Sequence, residues 1–194
     1  MAEFASRAGL KLDHALTTFA IDVTGAVCAD LGANVGGFVD CLLKRGAAKV
    51  YAIEKGYGVL EWRLRRDPRV VVMERTNAMH AQLPQRVDLV TVDVAWTRQR
   101  HILPAARRMV KEGGRVITLI KPHYEADQKL LTGGVLPQDR MEEVVRSVAR
   151  EIDVLGFELV GTVQSPIKGA KGNFEVLAAL RPVGGVKPAS GSAV

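Results

Sequence analysis

The chain has 194 residues, of which 47% are hydrophobic, and this length and composition suit one folded domain with a substantial core. Its formal net charge of +6 hints at a polyanionic partner, although many basic proteins bind no nucleic acid. No apolar run approaches the roughly 18 residues of a membrane span, so the sequence predicts no membrane partner.

Cysteine usage and the N-terminus bear on the cellular compartment. The two cysteines, Cys28 and Cys41, fall at apolar positions of predicted elements, which is typical of buried thiols and not of a disulfide framework. Residues 1–4 lack the basic and apolar regions of a signal peptide. We therefore expect a cytoplasmic protein, and we predict no metal site.

The first predicted element is a helix over residues 6–19. Apolar residues recur there at helical spacing, at Leu12, Ala15, Leu16 and Phe19. Lys11 lies at the edge of this apolar stripe. Considered alone, the segment favours a solvated surface lysine at that position.

A strand, a glycine-bearing turn and a helix follow. The predicted strand, residues 26–31, carries Asp30 near its end, and the predicted helix covers residues 36–44. The turn glycines, Gly32, Gly36 and Gly37, let the backbone bend sharply and approach a ligand, and the helix start offers free N–H groups. The pattern is typical of the opening unit of a nucleotide-binding α/β sheet, and it is also compatible with an ordinary strand-to-helix turn.

The spacing within the turn favours one class of cofactor. A dinucleotide fingerprint, Gly-x-Gly-x-x-Gly, uses its second glycine to make room for a pyrophosphate. Asn34 occupies that position here. A ligand without a pyrophosphate fits better, and S-adenosylmethionine, which joins a nucleoside, a sulfonium and an amino acid, is such a ligand.

Polar side chains follow the next two strands. Strand 2, residues 50–53, ends at Glu54, where a carboxylate can accept hydrogen bonds from ribose hydroxyls; a surface glutamate is the alternative. After a short helix over residues 61–66, strand 3 covers residues 69–73 and leads to Asn77. An amide there can read an adenine edge, or it can simply form a turn.

The fourth and fifth strands carry an acid and a base at their ends. Strand 4, residues 88–94, has Asp93 near its C-terminal end, and a helix is predicted over residues 101–111. Strand 5, residues 115–120, must stop at Lys121, because the proline that follows cannot extend the ladder.

The C-terminal third is predicted as a long polar loop, a helix and two strands, over residues 122–137, 138–154, 157–165 and 174–180. Glu175 lies near the start of the final strand, after a connection suited to a long hairpin loop. Residues 1–181 form the predicted domain, and residues 182–194, rich in Gly, Pro, Ser and Ala, are predicted to be a disordered tail.

Together these elements predict an α/β protein with a Rossmann-like methyltransferase fold. Its sheet would be mostly parallel and seven-stranded, with helices on both faces and an antiparallel last strand. Sites in such sheets lie outside the C-terminal ends of the strands, where Gly32, Glu54, Asp93 and Lys121 all fall. An antiparallel last strand starts at that same edge and adds Glu175, and the first helix could lay Lys11 across the mouth.

Lysines and carboxylates around a methyl donor suit methylation of a ribose 2′-hydroxyl. That hydroxyl is a very weak acid whose proton must be removed as it attacks the sulfonium methyl group. A neutral lysine amine can accept the proton, although a free lysine side chain is protonated at neutral pH. Burial and a second ammonium favour the neutral amine, whereas carboxylates oppose it and can orient the reacting groups.

The ordered motifs resemble those of the FtsJ-like RNA 2′-O-methyltransferases, in particular the hemolysin-A-type branch that methylates ribosomal RNA cytidines. The resemblance spans residues 6–180 and rests on these segments: SRAGLKL at 6–12, DVTG at 22–25, GANVGGFVDCLL at 32–43, YG at 57–58, ERTN at 74–77, KP at 121–122 and SPIKGAKGNFE at 165–175.

The resemblance implies roles for individual residues. The catalytic tetrad would be Lys11, Asp93, Lys121 and Glu175, with Lys121 as the base. Gly32, Glu54 and Asn77 would hold S-adenosylmethionine. The full set of predicted cofactor residues is Asp30, Gly32, Ala33, Asn34, Gly36, Gly37, Phe38, Glu54, Asn77 and Asp93.

The chain departs from the family pattern in two places. Hemolysin-A-type proteins usually carry an N-terminal RNA-binding domain, which this sequence starts without. Their fourth strand usually continues Asp-Val-Ser-Phe, whereas this chain has Asp93-Val94-Ala95-Trp96. The first difference concerns the RNA target and the second the shape of the substrate pocket.

The predicted partner is a structured RNA, ribosomal by resemblance. Candidate phosphate contacts are Arg63, Arg65, Arg66, Arg98, Arg100, Lys168 and Lys171, any of which can instead belong to a solvated face. Two alternatives stay open: a non-catalytic RNA-binding protein with the same fold, and a methyltransferase that acts on a base or a small molecule. A membrane-lytic role has no supporting apolar or amphipathic segment.

Overall fold

The computed structural model describes residues 3–184. Within this range seven strands form one sheet: β1 (Val27–Leu31), β2 (Lys49–Ile53), β3 (Val70–Met73), β4 (Val87–Val92), β5 (Val110–Ile120), β6 (Phe157–Gln164) and β7 (Val176–Pro182). The helices are α1 (Ala8–Thr18), α2 (Gly37–Lys44), α3 (Trp62–Arg65), α4 (Gln99–Met109), α5 (Pro122–Glu125) and α6 (Gln138–Val154).

The strand order across the sheet is β3-β2-β1-β4-β5-β7-β6. Strands β1 to β5 pair in parallel, whereas β7 runs antiparallel to both β5 and β6. This is the predicted fold, a mostly parallel seven-stranded sheet with an antiparallel last strand. The chain order reverses direction across the sheet between β1 and β4, and open α/β sheets bind ligands at such a point.

Two apolar layers cover the sheet, because successive strand residues face opposite sides. On one face Cys28 and Val50 pack with the apolar residues of α1 and α2. On the other face Ala29 and Tyr51 pack in a second core with those of α4 and α6. The helices therefore lie on both faces, as predicted, and they leave the C-terminal edge of the sheet open.

The boundary between α4 and β5 differs from the prediction. The helix ends at Met109, and β5 begins at Val110, which is fully buried and pairs with Val87. The register shifts between Val87 and Leu89, where Gly114 passes close to β4: a Cβ there would lie 2.7 Å from the Asp88 carbonyl oxygen. Gly114 thus lies within an irregular strand that begins at Val110, whereas the sequence predicts a helix up to residue 111 and a strand only from residue 115.

The segment after β5 contains more regular structure than the predicted loop. Pro122 begins α5, a position where its missing N–H and fixed φ are favourable. A 3-10 turn at Gln128–Leu130 and an isolated bridge between Thr132 and Val135 follow. The Glu125 carboxylate accepts a hydrogen bond from Gln99 N at 2.8 Å, and this contact ties α5 to the start of α4.

The last strand reaches one residue into the predicted tail. Pro182 belongs to β7, where it pairs with Phe157. Residues 185–194, which make up most of the predicted tail, lie outside the described residues.

Candidate active site

A cavity of about 950 Å³ opens at the C-terminal ends of β1, β2, β4 and β5. The predicted catalytic residues Lys11, Asp93, Lys121 and Glu175 all line it. So do the predicted cofactor residues Asp30, Gly32, Ala33, Asn34, Gly37, Phe38, Glu54 and Asn77. Gly36 is not part of the cavity wall.

Gly32 begins the turn after β1 and needs to be glycine for two reasons. Its φ of +89° lies in the left-handed region, which side chains other than glycine rarely adopt. A Cβ would also lie only 2.6 Å from the Asp93 carbonyl oxygen. The end of β1 and the end of β4 can therefore approach closely, and this brings Asp93 to the mouth of the turn.

Glu54 braces the glycine turn. Its carboxylate accepts hydrogen bonds from Asn34 N at 2.9 Å and from Gly56 N at 2.7 Å. These contacts exclude the alternative of a merely solvated surface glutamate. Each carboxylate oxygen retains a lone pair, so Glu54 can still accept hydrogen bonds from a ligand in the cavity.

Gly36 lies behind the cavity wall and allows close helix packing. It has a φ of +104°, and a Cβ there would overlap Leu64 Cδ1 and lie 2.8 Å from Leu60 Cδ1. The absence of a side chain lets α3 approach the start of α2. A direct contact between Gly36 and the cofactor stays a prediction without support from this geometry.

Asn77 fills one of the two roles that the sequence left open. Its side-chain Oδ1 accepts a hydrogen bond from Met79 N at 3.0 Å, so it forms a turn. The residue also lines the cavity. Its recognition of an adenine edge stays a prediction.

Asp30 is a buried carboxyl group at the end of β1. It is 1% exposed, and Oδ1 accepts a hydrogen bond from Thr91 Oγ1 at 2.7 Å. Oδ2 has no hydrogen-bond partner among residues 3–184. Burial raises the pKa of Asp30 to about 7, and the nearby acids Asp93 and Glu54 add to that rise. A cationic ligand group would favour the ionised form, which fits the ammonium and sulfonium of S-adenosylmethionine.

Lys121 and Asp93 form an ion pair across the ends of β5 and β4. Lys121 Nζ lies 2.7 Å from Asp93 Oδ1 and donates a hydrogen bond to Val94 O at 3.0 Å. Both side chains are mostly buried, with 14% and 19% of their surface exposed. The amine is thus held at a defined position on the cavity wall.

Lys11 and Glu175 form the second ion pair of the cavity. Lys11 Nζ lies 2.5 Å from Glu175 Oε2, although the residues are 164 positions apart in the chain. Lys11 is 8% exposed and Glu175 3%, so the alternative of a solvated surface lysine is wrong. The pair forms because α1 packs against α2 and β7.

The family model of FtsJ-like methyltransferases matches residues 4–181 of this sequence. The chain belongs to the FtsJ-like methyltransferase family. It is 43% identical over 185 residues to the 16S/23S rRNA (cytidine-2'-O)-methyltransferase TlyA of Mycobacterium tuberculosis. This match covers 92% of this chain and 68% of the relative. It is 39% identical to hemolysin A of Brachyspira hyodysenteriae, over 91% of this chain and 76% of that protein.

The solved structures agree with this assignment. A structure from Streptococcus thermophilus described as a hemolysin has a TM-score of 0.91 and 35% identity, and the match covers 95% of this chain and 69% of that one. A second such structure, from Lactococcus lactis, has a TM-score of 0.88 and 36% identity, and the match covers 93% and 89% of the two chains. The predicted family is confirmed.

Three aromatic residues of this methyltransferase line the cavity beside Lys121 and were not predicted. Trp96 stacks on Tyr124 with ring centroids 5.0 Å apart, and His123 lies 4.2 Å from Tyr124. Trp96 is 84% exposed and has a φ of +58°. Burial, and then the Lys121 ammonium, lower the pKa of His123. The one sequence signal for this group was the departure from the family pattern at Trp96.

The basic residues fall into two groups. Arg63 is paired with Asp40 at 2.6 Å, and Arg65 is paired with Glu74, so acids already engage two of the predicted phosphate contacts. The predicted contacts Arg66, Arg100, Lys168 and Lys171 are exposed, and Arg98 is half-buried. Arg7 and Lys55 were not predicted, yet they are exposed, line the cavity and have no acidic partner within 4 Å in the described chain.

Among residues 3–184 no group of three or more His, Cys, Asp or Glu side chains is arranged to hold a metal ion. The helices of the same range include none with the length and apolar character needed to cross a membrane.

Proposed function

We propose that this methyltransferase transfers the methyl group of S-adenosylmethionine to the 2′-hydroxyl of a ribose in RNA, specifically ribosomal RNA. The observation that carries the proposal is the meeting of two lysine–carboxylate pairs, Lys121–Asp93 and Lys11–Glu175, in the cavity that the glycine turn opens. The name of the relative TlyA, which denotes an rRNA (cytidine-2'-O)-methyltransferase, supports the choice of substrate.

Three observations indicate that the cavity suits S-adenosylmethionine. Gly32 leaves the turn open where a Cβ would strike Asp93, and Glu54 presents a carboxylate at the end of β2. Asp30 holds an unpartnered oxygen beside the cavity, suited to a cation. When bound, S-adenosylmethionine supplies an electrophilic methyl group on sulfur.

Lys121 is the proposed general base. Its Nζ would take the proton of the 2′-hydroxyl as the ribose oxygen bonds to the methyl carbon that S-adenosylmethionine would supply, with the cofactor sulfur as the leaving group. Asp93 holds this amine in place at 2.7 Å. To accept this proton, Lys121 must present a neutral amine.

The Lys11–Glu175 pair is proposed to orient the ribose. Lys11 is buried and keeps Nζ at the cavity through its contact with Glu175. A fixed ammonium can donate to a ribose oxygen, and holding reactants in the attack geometry supplies a large part of a catalysed rate.

We infer a cytoplasmic enzyme. Cys28 and Cys41 are buried free thiols, and burial raises the pKa of each to about 12, which makes them unreactive. Structural thiols of this kind and an RNA substrate suit a reducing compartment.

The experiment that tests the function uses the purified protein, methyl-labelled S-adenosylmethionine and total RNA, followed by nucleoside analysis. We expect label in a 2′-O-methylated nucleoside. Label in a base would replace the proposal with a base methyltransferase, and RNA binding without label would replace it with a non-catalytic RNA-binding protein. Fractionated ribosomal subunits then test whether ribosomal RNA is the substrate.

A further inference from the structure

Asn173 lies behind the cavity wall and joins two loops. It is 2% exposed, and its Nδ2 donates hydrogen bonds to Gly134 O and Ala170 O, each at 3.1 Å. Its Oδ1 accepts one from Leu136 N, also at 3.1 Å. Gly134 and Leu136 belong to the segment between α5 and α6, whereas Ala170 belongs to the connection between β6 and β7. One side chain therefore links main-chain groups of two separate loops.

The connection between β6 and β7 packs directly against the Glu175 carboxylate. Gly169 N donates a hydrogen bond to Asn173 O at 2.9 Å and closes the turn. A Cβ at Gly169 would overlap Glu175 Oε1, so bare main chain forms one side of the carboxylate's surroundings. Lys11 holds the other oxygen. A shift of this turn would leave the carboxylate free to move away from Lys11.

We propose that Asn173 is a positioning residue for methyl transfer, an inference that rests on the function proposed above. It ties residues 167–172 to residues 134–136, holds Gly169 against Glu175 and thereby keeps the Lys11–Glu175 pair in the cavity. Asn173 itself does not line the cavity. An amide offers the two donors and the acceptor that the three main-chain groups require, whereas an aspartate of the same size can donate to neither carbonyl.

The first test is Asn173→Asp, which preserves size and loses both donors. We expect kcat to fall about 10- to 100-fold, since a misplacement of about 1 Å can lower a rate by about 100-fold. The dissociation constant of S-adenosylmethionine should not change, because the glycine turn and Glu54 follow β1 and β2, which β4 and β5 separate from β7. The matched control is Asp127→Ala, which removes the cap of the turn Gln128–Leu130 in the α5–α6 segment and crosses to no other loop. It should keep a wild-type kcat.

Two further variants test whether Asn173 acts through Glu175. In a Glu175→Gln background, Asn173→Asp should have little additional effect; independent, multiplying effects would overturn the proposal. Gly169→Ala keeps the bonds of Asn173 and has an allowed φ of −77°, but it displaces the carboxylate. It should reproduce the loss of kcat at unchanged cofactor affinity. If Asn173→Asp does not fold, this variant decides whether the position of the Glu175 carboxylate controls kcat.

Hydrogen–deuterium exchange tests the link without any activity. In Asn173→Asp, residues 134–136 and 167–172 should lose protection together, whereas Asp127→Ala should loosen only residues near 128–130. Unchanged exchange in either loop would overturn the proposed link. A wild-type protein that methylates no ribose would overturn the proposed function instead, and the exchange result would still decide whether Asn173 links the two loops.

Discussion

Lys121 is the residue on which the proposed chemistry depends. Lys121→Ala should keep the affinity for S-adenosylmethionine and lose about 10²- to 10⁴-fold in methyl transfer, since it removes the base and no cofactor contact. Lys121→Arg should not restore the rate, because a guanidinium stays protonated and cannot accept the proton. Single-turnover rates with bound RNA measure this. A Lys121→Arg enzyme with a near wild-type rate would exclude Lys121 as the base.

Lys11→Ala and Glu175→Ala provide the comparison for that experiment. If the pair orients the ribose without taking the proton, both variants should retain more activity than Lys121→Ala. The two variants should also lose similar amounts of methyl-transfer rate. Each substitution removes one member of the same buried ion pair and leaves the other member without its partner.

Asp30 predicts a pH dependence of stability. Its pKa is about 7 in the folded state against a usual 3.8, so the native state holds the proton more tightly and stability declines as the pH rises from about 4 to about 7. Asp30→Asn removes this dependence. Between pH 5 and pH 8 the variant should gain about 2 to 3 kcal/mol relative to the wild type in urea unfolding. Parallel curves of unfolding free energy against pH for the two proteins would contradict the prediction. Bound S-adenosylmethionine should reduce the stability that the wild type loses as the pH rises.

At the scale of elements, the unit formed by β1, the glycine turn and α2 carries the predicted cofactor site. Gly32→Ala should lower the free energy of unfolding by about 3 kcal/mol, because backbone strain adds to a clash with the Asp93 carbonyl. It should also abolish cofactor binding in calorimetry. Gly25→Ala is the control: its φ is +72°, but no atom lies within 4 Å of the new Cβ, so only about 1 kcal/mol should be lost. Equal losses in the two variants would show that the contact with β4 is unimportant.

At the scale of the whole molecule, we expect the net charge of +6 to act on RNA through the cations that line the cavity. Arg7→Ala and Lys55→Ala should each reduce the dependence of RNA affinity on salt, by about 0.7 to 0.9 in the slope of log K against log salt. Arg146→Ala removes the same charge from α6, where Arg146 pairs with Glu142, and should leave the slope unchanged. Titrations at several salt concentrations measure it. Equal slopes in all three variants would count against a footprint at the cavity mouth.

Much of the fold and part of the site followed from local sequence. Alternating strands and helices predict a parallel sheet, and the residues that end parallel strands meet at one edge because the strands share a direction. Gly32, Glu54, Asp93 and Lys121 could therefore be assigned to one cavity without any long-range information. The direction of the last strand and the position of the first helix added Glu175 and Lys11, and the family motifs then assigned them catalytic roles.

Only the tertiary structure decided which side chains pair. The Lys11–Glu175 contact depends on how α1 packs, and the engagement of Arg63 by Asp40 depends on α3 approaching α2. The linking role of Asn173 could not be predicted, because two of its three partners, Gly134 and Leu136, are main-chain groups from a distant loop. The helices, the strands and the points where the strands end depend on patterns among residues a few positions apart, so the sequence by itself determined these features. Ion pairs and loop contacts depend on the relative placement of whole elements, and this placement is settled only when the two cores pack.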